Sequence, residues 1–145
     1  MNQREKLAYL AGIIDGEGSI MIWKSNIDAK RRGQFNLRVN ISSTDKCLMD
    51  WLVKNFGNIY HEINAPSRKA NPHWKQQYVW EVNRPNILKI LKDVYEFLVI
   101  KKERCKIAIE FRETFATRER NLSVQTFDKR MNIYEQIKHL NSRGR

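Results

Sequence analysis

No apolar run in the sequence is long enough to span a bilayer, and the N-terminus has no signal-peptide pattern. Both absences argue against an integral-membrane or secreted protein and lead us to expect an intracellular one, working where it is made. Cysteine is scarce. Cys47 and Cys105 lie far apart in apolar, helix-like stretches, so a disulfide framework or zinc site is not supported and two buried free thiols are expected. His61, His73 and His139 are scattered and form no metal-ligand pair. No Ser–His or Cys–His constellation is present to support a protein nucleophile. No low-complexity segment or linker divides the 145 residues, which read as a single domain, 1–145. Acidic residues are also few. The 16 Asp and Glu are outnumbered by 27 Lys and Arg, for a net charge of +11, and a folded domain that basic usually faces a polyanion.

What is present is strongly patterned. Residues 3–14 read as a helix with Leu7, Leu10, Ala11 and Ile14 on one stripe, ended by Gly16 and Gly18. Residues 19–25 read as a strand and 26–33 as a basic turn containing Lys30, Arg31 and Arg32. Residues 34–42 alternate strictly, with Phe35, Leu37, Val39 and Ile41 apolar against Gln34, Asn36, Arg38 and Asn40. Ser43 or Thr44 then caps a helix that runs to about residue 56 and stops at Gly57. Residues 59–63 and 77–82 form a second hairpin, whose connection, 64–76, carries Arg68, Lys69 and Lys75. Helices follow at 86–97, through Ile107 to Phe115 after a basic joint at Lys101 and Lys102, and at about 124–140. Trp51 and Trp80 fit core positions, and loop residue Trp74 fits either environment.

Two hairpins and intervening helices imply an α+β layer, with a mostly antiparallel sheet covered by helices on one face. The other face is then free. On residues 34–42 it offers amides, an arginine and no carboxylate. Asn and Gln pair with adenine and Arg with guanine in the major groove, and basic turns at both ends suit phosphate contacts. An ordinary solvated face is the plain alternative.

The segment Leu10-Ala11-Gly12-Ile13-Ile14-Asp15-Gly16-Glu17-Gly18 carries the chemistry. Small Ala11 and bare Gly12 let another helix backbone approach closely. Asp15 and Glu17 come at the helix C-terminal end, where the dipole is already negative. A cation offsets that cost, and Mg²⁺ takes carboxylate, carbonyl and water oxygens. An acidic, Gly-rich helix end without metal is the alternative reading of the same residues.

All nine positions match the LAGLIDADG motif, allowing the Ile, Gly and Glu alternatives, and the chain resembles the single-motif, homodimeric group of LAGLIDADG homing endonucleases. The order of elements resembles that family's αββαββα core over about 3–115, with a C-terminal helical extension over about 116–141. The resemblance implies a saddle-shaped antiparallel sheet over the DNA major groove. It implies a site-specific double-strand endonuclease that cuts a long, nearly palindromic target and leaves short 3′ overhangs. Glu17 stands where the family's metal-binding acid stands, usually Asp, and the Gly16 carbonyl helps to hold Mg²⁺, with Mn²⁺ or Ca²⁺ able to occupy the same place. Lys101, or Lys102 as runner-up, matches the lysine near the active-site waters. Ser43 occupies the place of the family's water-orienting Gln, a departure that leaves that role open. Leu7, Ala11, Gly12 and Asp15 are expected at the dimer seam, with Leu7, Ala11 and Ile14 divided between seam and core.

Strand parity sends Ser19, Met21, Trp23 and Ser25 towards DNA from the first strand, and Gln34, Asn36, Arg38 and Asn40 from the second. The second hairpin offers Tyr60, Glu62, Asn64, Lys75, Gln77 and Val79. The resemblance also places the protein in an organelle (mitochondrion or chloroplast) or a prokaryotic or phage cytoplasm. Two other roles of the same fold stay open. One is an intron maturase whose partner is its own intron RNA, and the other is a DNA-binding regulator without catalysis.

Overall fold

The computed structural model describes residues 1–25, 34–63, 75–115 and 123–142. The first helix, α1 (Gln3–Glu17), opens on a reciprocal cap: the Asn2 side chain accepts the Glu5 N–H at 3.0 Å, and the Glu5 carboxylate accepts the Asn2 N–H at 2.7 Å. It runs three residues beyond the 3–14 read from the pattern, so Gly16 as well as Gly12 lies inside it. Each helical glycine costs about 1 kcal/mol. Full burial of Leu10, Ala11 and Ile14 opposes that cost. The chain leaves α1 at Gly18, where a Cβ would stand 2.7 Å from the Ile14 Cα, so only glycine fits the helix-to-strand junction.

The strands β1 (Gly18–Ser25), β2 (Gln34–Ser43), β3 (Ile59–Ile63) and β4 (Gln77–Glu81) form one antiparallel sheet in the order β1-β2-β4-β3. Between β2 and β3, α2 (Lys46–Phe56) is capped by Asp45, which accepts the N–H of Cys47 and Leu48. The expected caps are therefore displaced by one or two residues. Ser43 still belongs to β2, and its hydroxyl accepts the Asp45 N–H at 3.0 Å. Gly57 ends α2 with φ at 68°. The remaining helices are α3 (Arg84–Val94), extended by a 3-10 turn (Tyr95–Phe97), then α4 (Lys102–Glu113) and α5 (Val124–Ser142).

The helices pack on one face of the sheet, as the α+β expectation has it. Ile20, Val39, Ile41 and Trp80 point into this layer and meet Leu10, Ile14, Met49, Leu52, Leu91 and Phe111. Trp80 is wholly buried, yet its indole N–H donates to the Gly57 carbonyl at 2.9 Å, so its polar end is satisfied. Trp51 is half-buried and packs edge-on against Tyr9 and Phe56. Trp74 lies outside the described residues. From α5, Ile133 and Ile137 join the same core. Cys105 is buried as expected, but Cys47 is exposed on the first turn of α2, which corrects the expectation of two buried thiols. Among the described residues no helix is long and apolar enough to cross a membrane.

Candidate active site and nucleic-acid interface

The two acids at the end of α1 have different surroundings. Asp15 is half-buried and fully engaged by its own chain. Its Oδ2 accepts the N–H of Val99 at 2.8 Å and of Ile100 at 3.1 Å, and its Oδ1 accepts the N–H of Lys101 at 2.8 Å. Burial pushes the Asp15 carboxyl up, but the Val99, Lys101 and Ile100 amides and the Lys101 charge outweigh it and hold the pKa below the ordinary value. Asp15, expected at a seam between two chains, thus ties α1 to the turn before α4. Glu17 is exposed, and no hydrogen bond or ion pair among the described residues engages its carboxylate.

Lys101 completes the corner. Its Nζ donates to the carbonyls of Ile14 at 2.7 Å and Asp15 at 2.6 Å, a cation on the negative end of α1, which has no basic residue in its last turn. Desolvation and the nearby Arg104 charge lower the Lys101 pKa, while Asp15 and Glu17 partly restore it. Ammonium has three protons and two are used here, so one remains for an incoming oxygen. Lys102, by contrast, is exposed and lies over the Tyr95 ring.

The donors at this corner suit a hard divalent cation. Glu17 offers a free carboxylate and Gly16, also exposed, a backbone carbonyl. Among the described residues these two groups supply only part of a coordination sphere. No group of three or more His, Cys, Asp or Glu that could hold a metal occurs among the described residues.

The outer face of α1 is bare. Ala8, Gly12 and Gly16 are exposed, and a Cβ at Gly12 or Gly16 would have no neighbour within 4 Å. Leu7 is half-buried. Ala11 and Ile14 are wholly inside the core, so the expectation of Ala11 at a seam is corrected: its methyl is consumed by packing within the chain. Val99 and Ile100, beside the end of α1, are 83% and 72% exposed.

The sheet face away from the helices carries the expected polar residues of β1 and β2. Gly18, Ile20 and Ile22 are buried, leaving Ser19, Met21, Trp23 and Ser25 outward; Phe35, Leu37, Val39 and Ile41 are buried, leaving Gln34, Asn36, Arg38 and Asn40 outward. Trp23 is 46% exposed. Gln77 lies on this open face and exposed Lys75 precedes it. Val79 lies there too but is covered by its neighbours. Lys30, Arg31, Arg32, Asn64, Arg68 and Lys69 lie outside the described residues.

Strand β3 is one residue out of the expected phase. Tyr60 pairs with Trp80 and Glu62 with Tyr78, which puts both on the helix side. The Tyr60 ring packs edge-on against Tyr78, and its hydroxyl donates to Asp50 of α2 at 2.8 Å, a bond that raises its pKa. The expectation of Tyr60 and Glu62 on the open face is corrected: Ile59, His61 and Ile63 take that place. Two further residues were missed. Glu81 accepts from Arg38 at 2.6 Å, which raises the arginine pKa, and Arg84 donates to the Asn36 side-chain oxygen. Continuing the parity of Gln77 and Val79 along β4 reaches Glu81; Arg84, on α3, has no comparable signal. These residues, with Trp23 and His61, line a shallow groove of about 370 Å³.

No protein-family model and no curated protein matches the chain. Solved structures do. The homing endonuclease I-CvuI, in complex with the I-CreI target in the presence of Mg, superposes with a TM-score of 0.77 at 13% identity, over 94% of this chain and 82% of that one. The archaeal intron-encoded homing endonuclease I-Vdi141I, complexed with DNA, gives 0.78 at 15% identity, over 96% of this chain and 86% of that one. The LAGLIDADG homing endonuclease I-GzeII, in complex with a DNA target, gives 0.66 at 18% identity, over 91% of this chain and 43% of that one.

Proposed function

We propose that this chain, which has the LAGLIDADG homing endonuclease fold, is a site-specific double-strand DNA endonuclease that acts as a homodimer on a long, nearly palindromic target. The observation that carries the reading is the contrast at the end of α1. Asp15 is consumed by three backbone amides, while Glu17, two residues on, stays exposed and unengaged. A carboxylate left free at the negative end of a helix raises the energy of the fold unless a ligand answers it.

Double-strand cutting needs two active sites, and each chain brings half of the acidic donors. The bare stripe of Ala8, Gly12 and Gly16 allows a second α1 to approach closely, with Val99 and Ile100 adding apolar surface at its end. Coverage agrees: the chain spans 82% and 86% of I-CvuI and I-Vdi141I but 43% of I-GzeII, which has room for a second such unit.

Glu17 and the Gly16 carbonyl of both copies would hold divalent metal, Mg²⁺ or its substitutes Mn²⁺ and Ca²⁺. Bound there, such an ion lowers the pKa of a water and stabilises charge on the phosphodiester. The chain supplies the rest. Lys101, fixed by two carbonyls, directs its third proton at a non-bridging phosphate oxygen or at the attacking water, where charge develops in the transition state. The open face aligns with the major groove, where Ser19, Met21, Trp23, Ser25, Gln34, Asn36, Arg38, Asn40 and Gln77 meet base edges and Lys75 meets phosphate. Hydrolysis leaves 5′-phosphate and 3′-hydroxyl ends, with short 3′ overhangs.

The test is a plasmid carrying the joined host sequences that flank the gene, incubated with purified protein and either Mg²⁺ or EDTA. Linearisation at the junction with Mg²⁺ alone supports the reading. Tight junction binding without a cut indicates a regulator, and preference for the intron RNA at matched salt indicates a maturase.

A further inference from the structure

The open face holds a carboxylate where a DNA-binding surface has least use for one. Glu81 of β4 lies directly across from Asn40 in the sheet, on the same side as Arg38, Asn36 and Trp23. A negative charge there opposes the phosphates that provide most of the affinity. Stability does not account for it. The Arg38 and Glu81 side chains are 41% and 34% exposed, and surface pairs of that kind contribute little that can be measured.

Geometry gives a better account. Glu81 Oε2 accepts from one Nη of Arg38 at 2.6 Å. A guanidinium has five N–H donors in a rigid planar fork, so this bond anchors one end of the fork, restrains its swing and leaves the other donors free. Asn36, two residues along on the same face, is held in turn by Arg84 from the start of α3. Untied, Arg38 could swing to the nearest phosphate and bind any sequence. Tied, it can satisfy guanine O6 and N7 together, whereas adenine or cytosine puts an amino group against its protons.

We propose that Glu81 is a positioning residue that holds Arg38 edge-on to one guanine in each half of the target, lowering affinity for bulk DNA and raising selectivity at that base pair. The inference rests on the DNA endonuclease reading above.

The experiment is selection from a pool of randomised DNA duplexes in EDTA, with sequencing of the bound fraction. It compares wild type, Glu81→Gln, Arg38→Ala and the double variant. Wild type should enrich guanine at one symmetric pair of positions, and Arg38→Ala should lose it. Glu81→Gln, nearly isosteric, should weaken the preference at that pair by about tenfold without weakening bulk duplex binding. In the Arg38→Ala background it should raise bulk affinity, by removing an unneutralised charge, and leave base preference unchanged. The proposal is overturned if Glu81→Gln keeps the guanine preference, flattens all positions alike, or still changes base preference when Arg38 is absent. A wild type that enriches no sequence would instead remove the DNA-reading premise itself.

Discussion

Replacing Asp15 by Asn isolates the joint between α1 and the turn before α4. The wild-type carboxylate accepts three backbone N–H groups, from Val99, Ile100 and Lys101. Bonds to a charged acceptor are worth about 1.5–3 kcal/mol each. Val99 and Ile100 are exposed, so water can replace part of what is lost and the lower end applies. The amide retains one acceptor oxygen but turns an NH₂ towards at least one donor. Removing a negative charge from a helix C-terminus returns about 0.5 kcal/mol. The balance is a loss of about 2 kcal/mol, or roughly 8 °C in Tm for a chain of this size. Urea and thermal unfolding at one fixed protomer concentration would measure it. Because the folded pKa is depressed, the stabilisation is fully present above the unfolded value of about 4 and fades as pH falls through the folded value. The gap between wild type and Asp15→Asn should therefore be full at neutral pH and close in strong acid. A gap under about 0.5 kcal/mol at neutral pH, or one that persists unchanged in acid, would refute the reasoning.

Other expectations follow from the same contacts. Lys101→Met should lower single-turnover cleavage by about 10²-fold with little change in DNA affinity. Because the Lys101 pKa is lowered by desolvation, wild-type cleavage should decline at a pH below that at which an ordinary lysine titrates. Gly18→Ala, which sets a Cβ against the Ile14 backbone, should destabilise by about 1–3 kcal/mol or more in a denaturant melt. A thiol reagent should modify exposed Cys47 in the native protein and reach Cys105 only after denaturation, since burial pushes the Cys105 thiol up to about 12.

Much of the sheet was legible from alternation. In β1 and β2 the apolar face had to meet helices, so parity alone assigned the open face. It failed on β3 because Ile59 and Ile63 are apolar yet face outward, and Ile59 is 78% exposed. Pairing to Trp80, a tertiary fact, set the register instead. The end of α1 was misread because glycine weakens a helix locally, whereas Lys101, 86 residues after Asp15, caps its carbonyls. The same distance in sequence hid the role of Asp15. Charge partners such as Arg38 with Glu81 depend on which strands become neighbours, and the order β1-β2-β4-β3 is not written in any single strand.

The most direct test of the account is Glu17→Gln compared with wild type on one duplex carrying the flanking-sequence junction, with Mg²⁺ present, reading bound and cut fractions in the same reaction. The account predicts that the variant binds the junction as tightly as wild type and leaves both strands intact. Cutting by Glu17→Gln at the wild-type rate would contradict it.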